Sequence, residues 1–284
     1  MPAGLIEIKR RIKSITNTKK ITKAMGLIAT TKLRRSRVAL TRYSKYYNEF
    51  ENIYDDILAS VDSMEISKNP YVYGNGCEKK LYIVLTSDSG MCGGFNGGVI
   101  SKLLETMDKK DDNEFILVGQ HGRTYLSKYK FNTLAEYVDM PDVPTNKESS
   151  EVVRKVLELY KKNEVGEVHL VYTKFHSTVK LEPVVERILP LSADAKKGKR
   201  YMDDEDDDNY KIESIIYSYL DNEILNGMLN SKTSEQASRM TAMDGATKNA
   251  DDIINKLTIK FNRIRQTAIT QEISEIVGGA EAQK

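Results

Sequence analysis

The chain has 284 residues, 30% of them charged, with a formal net charge of +2 and a mean hydropathy of −0.48. No run approaches the ~18 apolar residues of a spanning helix, and the first residues space their apolar side chains at helical intervals among Lys and Arg, unlike a signal peptide. Cys77 and Cys92 form neither a disulfide framework nor a metal-binding spacing, which favours a reducing compartment.

The first element is a long helix, starting near Pro2 and Ala3 and persisting to about Val61. Its spacing alternates threes and fours through Leu5, Ile8, Ile12, Ile15, Lys19, Thr22, Gly26, Ala29, Leu33, Ser36, Leu40, Tyr43, Tyr47, Phe50, Tyr54, Ile57 and Val61. A residue of this kind every 3.5 positions keeps one seam turned to a partner helix. At about 1.5 Å per residue the segment is roughly 85 Å long, which predicts a projecting rod. The seam weakens at Lys19, Thr22 and Gly26, where Ile21, Met25 and Ile28 point to a different face. Lys and Arg crowd residues 1–45 against a lone acid, Glu7. Such a basic stretch suits an acidic protein, nucleic acid or an anionic membrane surface, or is simply a solvated face.

Ser63–Lys80, with Pro70, Gly74 and Gly76, is expected to be a linker. Strands are expected at Leu81–Leu85, Phe115–Val118, Leu134–Val138, Val168–Phe175 and Val179–Leu189. Helices are expected through Ile100–Met107, near Arg123–Lys128 and at Ser149–Lys162. Strands alternating with helices predict a mainly parallel sheet covered on its faces. The tail then resumes helical spacing from Ile212 to about Val277, with Gly278–Gly279 expected to stop it. Its seam is Met240, Met243, Thr247, Ala250, Ile254, Leu257, Phe261, Ile264 and Ala268, and antiparallel pairing with the first helix is the natural arrangement. The predicted parts are an N-terminal coiled-coil helix (1–62), an α/β domain (78–200) and a C-terminal coiled-coil helix (210–284).

Chemistry-bearing motifs are sparse. The turn TSDSGMCGGFNGG follows a strand and precedes a helix, where a phosphate-binding loop would sit. The spacing of Gly90, Gly93, Gly94, Gly97 and Gly98 matches neither usual phosphate fingerprint, and no lysine follows, so a tight crossover is the preferred interpretation. His169 alternates with apolar residues and is expected to pack. The acidic run Asp203–Asp208 lacks the spaced ligands of a calcium loop. Small Ala242, Ala246 and Ala250 allow close helix approach. Beyond them Arg265, Gln266, Thr270 and Glu272 cluster, and Ile269, Ile273, Ile276 and Val277 form a stripe off the seam that needs a partner to cover it.

Three segments, ITNTKKITKAMGLIATTKLRR (15–35), SEQASRMTAMDGATKNA (234–250) with RQTAITQEISEIVGGA (265–280), and TSDSGMCGGFN (86–96), resemble the gamma subunits of F-type ATP synthases. The resemblance runs from end to end of the chain. It implies a long antiparallel coiled coil of the terminal helices with an inserted Rossmann-like α/β domain. It also implies a non-catalytic central rotor shaft that couples proton or sodium flow to ATP synthesis or hydrolysis. The implied partners are three alpha and three beta subunits, the epsilon subunit and the membrane-embedded c ring, with no nucleic acid and no direct membrane insertion. The implied location is the cytoplasmic face of a bacterial plasma membrane, without a transit peptide. No catalytic, cofactor or metal site of its own is expected. By the same resemblance Met25, with Lys23 and Lys32 nearby, meets an acidic loop of beta. Arg265, Gln266 and Thr270 meet its catch loops, Arg239, Glu272 and Glu275 serve coupling, and Ile273, Ile276 and Val277 sit in an apolar bearing. Rival assignments are a nucleotide-binding enzyme using the glycine turn and a nucleic-acid-binding coiled coil using the basic helix.

Overall fold

A computed structural model describes residues 3–60, 69–107, 113–191 and 208–281, with the side chains of 3, 51–60, 208–212 and 281 outside the description. The acidic run predicted at Asp203–Asp208 therefore lies outside the described side chains. In chain order the elements are α1 (Ala3–Ser60), α2 (Pro70–Tyr73), β1 (Lys80–Leu85), α3 (Phe95–Thr106), β2 (Asn113–Val118), α4 (Gly122–Lys128), β3 (Thr133–Tyr137), α5 (Asn146–Lys161), β4 (Glu167–Phe175), β5 (Leu181–Leu189) and α6 (Asp208–Glu281). The chain divides into two compact units, Met1–Ala29 with Arg239–Lys284, and Thr30–Ser238.

The second unit is built on a five-stranded sheet of order β3-β2-β1-β4-β5. β1 pairs in parallel with β2 and β4, β2 pairs in parallel with β3, and β5 runs antiparallel to β4. Side chains alternate across a strand, and both faces of this sheet are covered, so a central strand must be apolar at every position. That is why LYIVL reads as an unbroken apolar run. Leu81, Ile83 and Leu85 pack with Val152, Val156 and Leu159 of α5 and with Ile216, Leu220, Ile224 and Met228 of α6. Tyr82 and Val84 pack with Val99, Ile100 and Leu103 of α3 and Leu126 of α4. In the same unit Leu40 of α1 meets Leu225 and Leu229 of α6. Nearby, the Tyr43 hydroxyl donates to Asn222 Oδ1 at 2.6 Å and the Tyr47 hydroxyl to Glu223 Oε1 at 2.5 Å. Burial, first, and the nearby carboxylates hold the Tyr43 phenol far above its ordinary pKa, so it stays a donor.

Several boundaries differ from the sequence expectation. Pro70–Tyr73 is a helical turn rather than bare linker, capped by the Asn69 side chain, and Tyr71 stacks on Tyr160 with centroids 5.2 Å apart. α5 starts earlier than Ser149 because Thr145 and Glu148 form a reciprocal capping box. β5 starts later than Val179, which lies 94% exposed at the hairpin tip. Gly278 and Gly279 do not stop the tail helix, which runs on to Glu281. A glycine ends a helix by adopting left-handed backbone, and among the described residues the positive-φ glycines are Gly74, Gly76, Gly93 and Gly119.

His169 packs, as its strand position predicts. It stacks on Tyr82 at 5.1 Å, and its Nε2 lies 3.0 Å from Glu167 Oε2. Burial lowers its pKa, outweighing the upward pull of Glu167.

Two predictions follow from these contacts. A Cβ at Gly166 would run into the Cys77 carbonyl, whereas one at Gly245, inside α6, would meet nothing within 4 Å. Gly166→Ala is expected to destabilise by roughly 1–3 kcal/mol through overpacking, and Gly245→Ala to stabilise by about 0.5–1 kcal/mol through lower unfolded-state entropy. Thermal unfolding followed by circular dichroism checks both signs. For His169, the unfolded chain takes up its proton near pH ~6.5 and the folded chain only at lower pH. Its contribution is therefore complete above that value and is lost as pH falls through the folded pKa. The melting temperature of His169→Gln is expected to fall less than that of the parent between neutral pH and the onset of carboxylate protonation.

Candidate partner-contact surfaces

In the first unit, α1 and α6 run antiparallel. Lys19 pairs with Asp251, the hydroxyls of Thr22 and Thr247 lie 2.8 Å apart, and a Cβ at Gly26 would sit 3.5 Å from Met243 Cβ. Small residues at Gly26, Ala29 and Ala250 let the backbones approach closely, and Ala29 and Ala250 are buried. The polar positions that weaken the seam on paper thus find one another across it. Thr22 with Thr247 supplies a directional contact that apolar packing lacks, and so favours one register.

That register explains the far end of α6. Partner numbers fall on α6 as they rise on α1, so Ala3 reaches only to about the level of residue 267. From Gln271 to Ala280 every residue is exposed, with Ile273 at 56%, Ile276 at 72% and Val277 at 54%. Helical spacing gathers Arg265, Ile269, Glu272 and Ile276 on one face and Gln266, Thr270, Ile273 and Val277 on the adjacent one. The first face alternates polar and apolar side chains, and the second is polar below and apolar above. Glu275 lies elsewhere and accepts from Gln271 Nε2 at 2.9 Å, while the Thr270 hydroxyl donates to its own helix at Gln266 O, 3.0 Å away.

On α1, Ile21, Met25, Ile28 and Lys32 fall on a common face. Ile21 and Ile28 are 60% and 56% exposed and Met25 is half-buried. Lys23, two residues from Met25, projects to the other side of the helix. Lys32 is engaged within its own unit, 2.8 Å from Asp142 Oδ1. Arg239 is buried, unlike the exposed groups further along α6.

The glycine turn leads from β1 into α3, at the C-terminal ends of the parallel strands. Sheets of this kind offer a ligand crevice where neighbouring crossovers diverge, here between β1 and β4. The protein's own helix fills that place. The Ser234 hydroxyl of α6 donates to Thr173 O at 3.1 Å, Asn230 Oδ1 accepts from the Phe175 amide at 3.1 Å, and Ser238 donates to Cys92 O at 2.6 Å. Within the turn Asn96 binds Ser87 from both ends of its amide, at 3.0 and 2.8 Å. The arrangement is a crossover closed by polar side chains, with α6 standing where a phosphate would.

Sequence reasoning missed the residues that hold α6 there: Asp88, Asp221, Lys232 and Glu235. The Asp221 carboxylate accepts from Asn146, Ser149 and Ser150 of α5 at 2.6–3.1 Å. A polar helical run such as SKTSEQ reads as solvated; its signal was its position, between two apolar seams. The histidines do not gather: His121 precedes α4, His169 lies in β4 and His176 pairs with Glu182 at the hairpin. Among the described residues no group of His, Cys, Asp and Glu is arranged to hold a metal, and no helix is long and apolar enough to cross a membrane.

Comparison with known proteins adds the lineage. The family model described as ATP synthase matches residues 4–283. The chain is 53% identical to the ATP synthase gamma chain of Clostridium novyi (strain NT) over 285 residues, covering 99% of each. It is 50% identical to that of Clostridium botulinum (strain Okra / Type B1) over 283 residues, again covering 99% of each. Among solved structures it is similar to a chain of the Euglena gracilis mitochondrial ATP synthase OSCP/F1/c-ring, with TM-score 0.74 and 17% identity over 100% of this chain and 95% of that one. It is also similar to one from the Tetrahymena thermophila mitochondrial ATP synthase central stalk and c-ring, with TM-score 0.60 and 22% identity over 80% and 99%. At these identities the structural likeness is one of fold.

Proposed function

The chain belongs to the gamma-chain family of ATP synthases, and from that premise we propose that it is the central rotor shaft of an F-type ATP synthase, coupling ion flow to ATP synthesis or hydrolysis. The observation that carries this proposal in the geometry is the far end of α6. It extends past its own partner helix and exposes Ile269, Ile273, Ile276 and Val277, apolar surface that suits an enclosing bearing.

The mechanism is positional. A shaft inside a ring of alpha and beta subunits presents a different side to each beta subunit. A contact shifts a conformational equilibrium only by its differential affinity for the two states. The asymmetry of the two α6 faces and of the Met25 face on α1 therefore favours a different state of each beta subunit in turn. Arg265 and Gln266 supply donors for beta loops, Thr270 and Glu272 continue that surface, Glu275 offers a carboxylate on another side of the helix, and Arg239, buried, acts by holding the helix. The basic α1, with Lys23 exposed, suits an acidic partner. Lys32 is held by a half-exposed pair with Asp142, worth at most about 1 kcal/mol, so an acidic partner loop can exchange with it at little cost.

On this proposal the chain catalyses nothing itself. The α/β unit rests near the membrane-embedded ring and epsilon, and the assembly lies at the cytoplasmic face of a bacterial plasma membrane. Reconstitution with matching alpha and beta subunits tests the proposal. A stable complex active in ATP hydrolysis supports it. A chain that ignores both subunits and binds nucleotide or DNA alone overturns it.

Two substitutions sharpen the test. Met25→Lys places a charge on a half-buried apolar position and is expected to lower ion pumping per ATP in membranes; an unchanged ratio removes Met25 from the contact surface. Arg265→Ala with Gln266→Ala removes up to two charge-assisted contacts of roughly 1.5 kcal/mol each. At one decade per ~1.4 kcal/mol, turnover is expected to fall on the order of 10- to 100-fold. Normal assembly and turnover would exclude both residues.

A further inference from the structure

The Asp88 carboxylate, 17% exposed, gathers donors from several parts of the α/β unit. Oδ1 accepts from the Gln120 amide at 3.3 Å and the Asp139 amide at 3.1 Å, and Oδ2 accepts from the Met140 amide at 3.1 Å and from Lys232 Nζ at 3.1 Å. The loops that follow β1, β2 and β3 thus converge on one side chain, and the remaining donor comes from α6. Lys232 is 11% exposed and also lies 3.4 Å from Glu235 Oε2, whose side chain is 4% exposed. A charged triad is therefore buried between the sheet's C-terminal edge and α6, apart from the Asp221 carboxylate, which ties the same helix to α5.

We propose that Asp88, Lys232 and Glu235 are positioning residues that key α6 to the sheet, setting its rotation about its own axis so that the α/β unit turns with the helix under load. The proposal rests on the rotor reading. Its physical basis is directionality. Apolar contact is non-directional, and a helix held only by Leu220 and Ile224 against Leu81, Ile83 and Leu170 of the sheet gains little from one setting over a slightly rotated one. A buried ion pair tolerates no such slip, because displacement leaves desolvated charges without partners. Lys232 is the member of the triad on the driven element and Asp88 the member on the sheet, so torque between the two crosses their contact.

The test uses the assembled, membrane-bound enzyme with the full chain. Lys232→Met keeps the stem and removes the charge. Asp88→Asn keeps an acceptor for the backbone amides and removes the charge from the other side. Both are expected to hydrolyse ATP at the parental rate in the detergent-solubilised complex, where little load opposes rotation. In sealed vesicles both are expected to reach a lower limiting ion gradient at equal ATP consumption, by about twofold if the key is weakened on the order of RT. Lys232→Arg, which keeps the charge, is expected to restore the gradient. A general loss of structure would lower both readouts together. The proposal is overturned if either neutral variant reaches the parental gradient, if arginine does not restore it, or if neither neutral variant assembles, since the triad would then hold the fold rather than set the helix. Failure of the parental chain to join alpha and beta subunits would instead remove the rotor reading itself.

Discussion

Two helices can run side by side at close range only where the facing side chains are small or apolar and keep to one stripe. That constraint governs both units of this protein. α1 meets it with Leu5, Ile8, Thr22, Ala29, Leu33, Ser36 and Leu40, all buried. α6 meets it with Met243 and Ala250 in one unit and with Leu225 and Leu229 in the other. Everything placed on the outer faces of these helices, basic or apolar, takes its orientation from that stripe. Departures from apolar character carry information about register: Lys19 finds Asp251 and Thr22 finds Thr247. The half-exposed charge pair adds little stability, but a one-turn slip would separate both pairs.

In the α/β unit the constraint changes from small residues to satisfied polar ones. Residues 221–237 of α6 are nearly all buried although many are polar. Burying such groups costs free energy unless each finds a partner, and here most do. Asp221 is met by the first turns of α5, Asn230 by β4, Ser234 by Thr173, and Lys232 by Asp88. Because the helix takes up the crevice beyond the strand ends, a scaffold that in other proteins offers a ligand site here offers a mount. The same chain segment that looks like a nucleotide loop becomes the surface against which the helix is seated.

Phenols extend this pattern along the sheet and the helix pair. Tyr43, Tyr47 and Tyr172 donate to Asn222, Glu223 and Glu186. Burial drives the Tyr43 and Tyr172 pKa values well above the ordinary range, with nearby carboxylates adding to it. They remain neutral donors across the whole physiological range, so these contacts do not respond to pH. Burial holds the half-buried His169 below the ordinary imidazole pKa, and its weak leverage comes from sitting in the sheet rather than at a contact surface.

The linear pattern alone determined both helical seams, the alternating strands and the exposure of the last turns of α6. An apolar residue every 3.5 positions, or an unbroken apolar run of strand length, leaves a chain few ways to leave water, so those features are local and legible. The contact roles proposed for Arg265, Gln266 and Met25 rest on kinship, since local pattern shows only an off-seam face and a polar cluster. Tertiary structure decided the rest. It alone showed that Lys32 is already paired with Asp142, that Pro70–Tyr73 joins the core and that Gly278 and Gly279 stay helical. It alone revealed Asp88 as the meeting point of separate loops and a helix. The reason is physical: a polar side chain reads as solvated until the partner that replaces its water is known, and Lys232 stands 144 residues from Asp88 along the chain.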